Sequence, residues 1–145
     1  MATGEYTIRV YAVLINQQNE VLLMNESYRG VSFTKFPGGG MEWGEGTRDT
    51  INRELREELN LENVELEQLY TTDFFVNSYF DTATQVISIY FKSSKPIDRK
   101  KVKLEVSDSR LNSMKWVPFN QLTTNHVTFP IDKKWWKLSC RKFPR

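Results

Sequence analysis

The sequence predicts an α/β fold, a mixed β-sheet covered on both faces by helices. Three observations carry that reading. Residues 6–15 (YTIRVYAVLI) and 85–92 (QVISIYFK) are β-branched and aromatic runs of the kind that fill buried strands. Within residues 47–59, Ile51, Leu55 and Leu59 recur at every fourth position, the buried stripe of an amphipathic helix. Residues 131–138 (IDKKWWKL) show helical spacing again near the other end. Strand pairs separated by one central helix and closed by a terminal one suit a sheet held between helices.

Taken in order, residues 6–15 read as a strand that becomes fully buried towards its end. Residues 16–20 form a polar turn, and 21–24 return as the second arm of a hairpin. Residues 27–34, rich in Ser, Gly and Tyr, read as a loop that leads through Lys35, Phe36 and Pro37 into a run of glycines. After the central helix, residues 64–76 are strand-rich, 81–84 punctuate them and 85–92 answer, so residues 71–92 are expected to form an antiparallel hairpin. Phe74 and Phe75 need a core or a substrate to cover them. Residues 93–103, with Pro96 and the basic run Arg99, Lys100 and Lys101, read as an exposed loop. Residues 114–117 form a short strand, and 118–122 a one-turn helix with Pro118 near its start. In the terminal helix Trp135 and Trp136 cannot both face the core easily; one is expected to pack there and the other to lie at the surface or by a pocket.

The length suits a single domain over residues 1–145 with an adequate core. At 39% hydrophobic and 13% aromatic, the composition excludes a disordered tail, and a formal net charge of +2 argues for neither nucleic acid nor membrane. No apolar run approaches the roughly 18 residues of a membrane helix, and Met-Ala-Thr-Gly-Glu is no signal peptide. The one cysteine, Cys140, cannot form an internal disulfide and reads as an ordinary small side chain, so a reducing cytoplasm is the expected location. Oligomeric state is left open by the sequence.

The chemistry is concentrated in residues 36–61 (FPGGGMEWGEGTRDTINRELREELNL). Gly38, Gly39, Gly40, Gly44 and Gly46 precede a helix expected over 47–59, with Thr47 as its N-cap and Asp49 in the first turn, where a carboxylate suits the helix dipole. At about 100° per residue, Glu54, Glu57 and Glu58 share roughly a third of the circumference beside the buried stripe. Such a cluster is usually a solvated acidic face, with Arg53 and Arg56 as partial counter-charges, and like charges one turn apart cost a few tenths of a kcal/mol per pair. The glycines in front alter the balance. They let backbone approach a ligand closely and turn its carbonyls inward, and carboxylates plus carbonyls make a hard-oxygen site for Mg²⁺ or Mn²⁺, which in turn suits phosphate substrates.

This stretch resembles the signature of the Nudix hydrolases, G-x5-E-x7-R-E-U-x-E-E-x-G-U with U a bulky aliphatic residue. It runs here through Gly39, Glu45, Arg53, Glu54, Leu55, Glu57, Glu58, Asn60 and Leu61. Only Asn60 departs, standing where the pattern has its last glycine; Asn is the next best residue for the left-handed turn after a helix. The resemblance implies an α/β/α sandwich with a mixed sheet. It also implies hydrolysis of a nucleoside diphosphate linked to another group by water attack on phosphorus, with divalent ions neutralising the diphosphate and acidifying the water. Glu54, Glu57 and Glu58 are then the metal ligands with a carbonyl of Gly38 or Gly39. Arg53 orients the glutamates, and one glutamate or a later loop carboxylate takes the proton. Glu105 and Asp108 are candidates for an additional acidic ligand, and Glu45 braces the loop.

Other chemistries are poorly supplied. His126 is the only histidine and reads as a polar loop residue, no G-x-S-x-G precedes it, and there is no C-x-x-C, zinc spacing or phosphate-binding G-x4-G-K-[ST] loop. Arg29 and Lys35 flank the loop before the glycines, and either can meet a phosphate. Stacking of a base on Phe74, Phe75, Tyr79 or Trp116 is the matching expectation for the rest of a nucleotide-type substrate. Within the family, a proline about 16 residues past the motif accompanies ADP-ribose; here no proline occurs between Leu61 and Pro96, and the NADH-cleaving extension is absent. A tyrosine 16 to 18 residues past the motif is associated with dinucleoside polyphosphates, and Tyr79 stands 18 past Leu61. The alternative is a nucleotide-binding or sensing module on the same fold that has lost turnover, although such a module has no need to retain every acidic residue of the motif.

Overall fold

The computed structural model of the protein describes residues 4–139, with the side chains at 135 and 137–139 outside the description. Seven strands and two α-helices follow one another: β1 (Glu5–Val13), β2 (Glu20–Tyr28), β3 (Val31–Lys35), β4 (Gly38–Gly40), α1 (Thr47–Leu59), β5 (Leu66–Thr71), β6 (Thr84–Ser93), β7 (Leu111–Pro118) and α2 (Pro130–Ser139). They build two sheets rather than one. The first, ordered β4-β1-β6-β5, is mixed, and the second, β3-β2-β7, is antiparallel.

The expected hairpin of the first two strands is not formed. β1 is buried along its second half and takes β6 as a parallel partner from Glu5–Thr84 to Val13–Lys92, with β4 antiparallel on its other edge. Only the roots of β1 and β2 meet, through the Ile15–Val21 bridge and the Leu22 N–H to the Leu14 carbonyl, 3.1 Å. The expected loop over 27–34 is also largely strand. β2 continues to Tyr28 and turns back through Arg29 and Gly30, both at positive φ, into β3. The hairpin expected over 71–92 exists as β5 against β6, extended by one bridge between Asn77 and Gln85.

Helix α1 spans the residues its periodicity predicts. Ile51, Leu55 and Leu59 are fully buried against Val10, Ala12, Leu14, Leu22 and Met24. Its N-cap is Gly46 rather than Thr47; the Asp49 carboxylate accepts the Gly46 N–H at 2.8 Å and so takes over the capping role. Asn60 ends the helix in the left-handed conformation (φ 54°), as expected of an asparagine there. Its side-chain amide also donates to the Lys103 carbonyl at 2.8 Å, which ties the 102–105 loop to the helix end. Of the two tryptophans, Trp136 packs between Phe36 and Phe119, while the side chain of Trp135, like Cys140, lies outside the described residues.

The shortest strand does most to place the site. β4 is three glycines paired with Arg9, Val10 and Tyr11 of β1. Gly38 has φ +145°, and a Cβ there would collide with the Val10 carbonyl. Gly38→Ala is therefore expected to lower stability by roughly 1–3 kcal/mol, through strain and overpacking together. Urea denaturation measures this directly, and an unchanged midpoint would show that β4 tolerates a side chain.

Candidate active site

Arg53, on α1, joins the glycine loop to the helix. Its Nε donates to Glu45 Oε2 at 2.7 Å and its Nη2 to Glu45 Oε1 at 2.9 Å, a two-point grip. Nη2 also reaches the Gly40 carbonyl at 2.9 Å, and Nη1 donates to Glu54 at 3.0 Å and Glu57 at 3.3 Å. Glu45 in turn accepts the Glu42 N–H at 2.9 Å and meets the Thr50 hydroxyl at 3.2 Å, so it braces the loop as its position in the sequence suggests. The Arg53 hydrogen bonds hold the Glu45 carboxyl down at about 2.

The three helix glutamates are not equivalent. Glu57 points outward, with its side chain 56% exposed, whereas that of Glu54 is 12% exposed and Glu58 is only 4% exposed. Glu54 lies against β4 so closely that a Cβ on Gly39 would collide with its carboxylate. Glu58, one turn on, has an Oε2 that is buried without a hydrogen-bond partner. Burial, and then the charges of Glu26 and Glu54, push its carboxyl well above the ordinary range; Lys35 pulls the other way.

Lys35 is not a free phosphate ligand. It is 3% exposed, and its ammonium donates to the Gly38 carbonyl at 2.8 Å and stands 2.7 Å from Glu26 Oε2, a close ion pair rather than an aligned hydrogen bond. Burial opposes its charge, but Glu58 and Glu26 outweigh that and raise its pKa. The reason is its register. Lys35 faces Met24 across β2 and β3, so its side chain points into the domain.

The donor set fits a hard divalent cation. Glu54 and Glu58 supply oxygens one helical turn apart, one of those oxygens is buried and unpartnered, and Glu54 lies directly against Gly39 of β4. Among the described residues no three acidic, histidine or cysteine side chains already stand grouped as a metal cage, since Glu57 is turned out to Arg53.

Beside this cluster lies a cavity of about 690 Å³ between the two sheets and α2. Arg9, Tyr11, Glu26, Lys35 and Arg110 form its charged end; Phe33, Phe74, Tyr79, Phe80 and Phe129 line the rest. Tyr79 and Phe74 are on the cavity wall, Tyr79 edge-on to Phe129 and Phe74 beneath the Lys134 ammonium at 4.0 Å. Phe75 lines it too, whereas Trp116 packs against the core under α1. Arg29 is not brought in: it sits at the hairpin tip with its guanidinium over the Tyr28 ring. Glu105 and Asp108 are on the loop beside the end of α1, where the Glu105 N–H donates to the Glu58 carbonyl at 2.8 Å. Their carboxylates are engaged locally, Glu105 by Ser107 and Asp108 by Arg110, and both are held below the usual range by those bonds. His126 accepts the Thr123 N–H in a one-turn helix, a polar loop role.

The sequence reading did not single out Glu26, Arg9, Tyr11, Arg110, Phe33, Phe80 or Phe129. For Glu26 a signal was present: Leu22 and Met24 are buried in β2, and the next residue of that alternation is Glu26.

The family model for the NUDIX domain matches residues 5–137. Among solved structures, a MutT protein from Methanosarcina mazei Go1 superimposes with a TM-score of 0.77 at 23% identity, covering 98% of each chain. The Escherichia coli dihydroneopterin triphosphate pyrophosphohydrolase gives 0.71 at 16% identity, covering 96% of this chain and 97% of its own. The NUDIX domain of Shewanella oneidensis NrtR, solved with ADP ribose, gives 0.66 at 17% identity, covering 98% and 89%. At these identities the likeness is one of fold. No helix among the described residues is long and apolar enough to cross a membrane.

The depressed Glu45 carboxyl has a pH signature. A carboxyl lowered from 4.5 to about 2 on folding contributes stability that is complete above 4.5 and is lost as pH falls through about 2. Chemical denaturation of the wild type and Glu45→Gln across that range is expected to show a stability gap that closes as pH drops. A gap that stays constant would mean that the Arg53–Glu45 contact does not hold the loop.

Proposed function

The chain belongs to the Nudix family of hydrolases, and we propose that it cleaves the phosphoric anhydride of a nucleoside diphosphate linked to another group, with Mg²⁺ or Mn²⁺. One observation carries the reading. Two carboxylates, Glu54 and Glu58, are held close together and largely out of water beside the glycine strand, and one oxygen of Glu58 is buried without a hydrogen-bond partner among the described residues. Two like charges so placed cost stability that a shared divalent cation would offset.

In this reading Glu54, Glu57 and Glu58 would hold the ion with a carbonyl of Gly38 or Gly39. Glu105 and Asp108, on the loop bonded to the end of α1, are the further acidic ligands within reach. A bound divalent ion neutralises the diphosphate and acidifies the attacking water. Arg53 keeps Glu54 and Glu57 in register with the loop. One of the glutamates, or a carboxylate of the later loop, takes the proton from the attacking water. Tyr79 and Phe74 supply aromatic faces for the non-phosphate part of the substrate. The names of the structural relatives support anhydride chemistry on this fold, as a pyrophosphohydrolase of dihydroneopterin triphosphate does. The NrtR domain holds ADP ribose, which keeps a binding module as the second reading. Retention of Glu54, Glu57 and Glu58 together favours the enzyme.

The test is release of phosphate, pyrophosphate or nucleoside monophosphate from a panel of dNTPs, oxidised dNTPs, dinucleoside polyphosphates, ADP-ribose and nucleotide sugars, with and without Mg²⁺. Glu58→Gln is expected to lower turnover roughly a hundredfold or more, since a misheld ion loses several kcal/mol of transition-state stabilisation. Its melting temperature is expected to hold or rise, because a buried like charge is removed. Near-wild-type turnover in the variant would reduce the cluster to a structural feature.

A further inference from the structure

The Lys35 ammonium sits where oxygen atoms converge. It is 3% exposed, and its Nζ stands 2.7 Å from Glu26 Oε2, 2.8 Å from the Gly38 carbonyl and 3.4 Å from the Phe36 carbonyl. Strand register directs it there. Lys35 pairs with Met24, so Glu26, two residues on, is its diagonal neighbour on the same face of the β2–β3 hairpin. Glu58 also acts on its charge, and Glu58 Oε2 is buried without a hydrogen-bond partner among the described residues. A carboxylate, two backbone carbonyls and a second carboxylate close by are hard oxygens, the donors that a divalent ion takes. In this chain a side chain fills the place.

We propose that Lys35 is a built-in cation: its ammonium fills an oxygen cage that otherwise captures a divalent ion, and so limits how tightly the chain takes up metal. The cage is built on Glu26 and the Gly38 and Phe36 carbonyls, apart from Glu54 and Glu57, with Glu58 common to both places. The ammonium offsets part of the charge of Glu26 and Glu58 permanently, and it repels a divalent ion that approaches Glu58. Its removal leaves two buried carboxylates without their counter-charge, a costly state that an incoming cation relieves. The inference rests on the hydrolase reading only for the neighbouring ion, so its test measures ion binding and stability without nucleotide.

Mn²⁺ is to be titrated into the wild type, Lys35→Ala, and Lys35→Ala combined with Glu26→Gln, with the free ion followed by its paramagnetic resonance. Lys35→Ala leaves room for an ion and its waters. It is expected to bind Mn²⁺ roughly ten- to hundredfold more tightly than the wild type, since a like charge is removed and its oxygens are freed. Its melting temperature is expected to fall below that of the wild type in EDTA and to recover as Mn²⁺ is added. The double variant lacks the Glu26 carboxylate and is expected to lose the gain. Should Lys35→Ala melt below the temperature of the titration, Lys35→Gln, which keeps most of the stem without the charge, takes its place. Affinity for Mn²⁺ in a folded variant no higher than in the wild type, or a gain that survives without Glu26, would overturn the proposal. The gain without metal-dependent release from any member of the nucleotide panel would leave it standing and retire the hydrolase reading instead.

Discussion

The site depends on one guanidinium. Arg53 is the group that the glycine loop and the helix both bond to, gripping Glu45 at two points and the Gly40 carbonyl on one side, and Glu54 and Glu57 on the other. A planar fork with five donors can do this, whereas an ammonium at the same place cannot span loop and helix together. Because α1 is anchored by Ile51, Leu55 and Leu59 and β4 by β1, Arg53 acts between two rigid bodies. The loop is thereby set relative to the carboxylates without being buried itself.

Behind that layer lies a second, drier set of charges. Lys35, Glu26 and Glu58 are each more than nine-tenths buried, and the lysine stands between the glycine strand and the cavity. Buried ionic groups are costly to assemble and costly to break, so they are weak evidence for stability and stronger evidence for a required geometry. Here the geometry links the glycine strand to the cavity wall. Lys35 acts on both Glu58 and Glu26, and Glu26 lines the cavity with Phe33, Phe74 and Tyr79.

What was legible in the sequence is what depends on near neighbours. Helix α1, its buried stripe and the left-handed Asn60 follow from spacing within a turn or two and are found as read, whereas of the three glutamates expected together Glu57 is turned outward. The misreadings concern partners far along the chain. β1 looked like half of a hairpin because a turn and a second strand follow it, yet its partner β6 lies more than 70 residues on and pairs in parallel. Residues 27–34 looked like a loop because they are rich in Ser, Gly and Tyr, although Val31 and Phe33 extend the ladder to β2. Lys35, a candidate phosphate contact in the sequence, is buried because of strand register, which composition does not reveal. Arg29, three residues beyond Glu26, falls at the turn and points away.

The most direct measurement of the account is the turnover of Arg53→Lys on the nucleotide that the wild type hydrolyses best. Lysine keeps the charge and the helix propensity but not the fork, so Glu45, Gly40, Glu54 and Glu57 cannot all be held. The account predicts a folded protein with an unaltered circular dichroism spectrum and a kcat lower by roughly a hundredfold, the loss expected of a misplacement on the ångström scale. A kcat close to that of the wild type would contradict it, and would show that the glutamates keep their arrangement without the guanidinium.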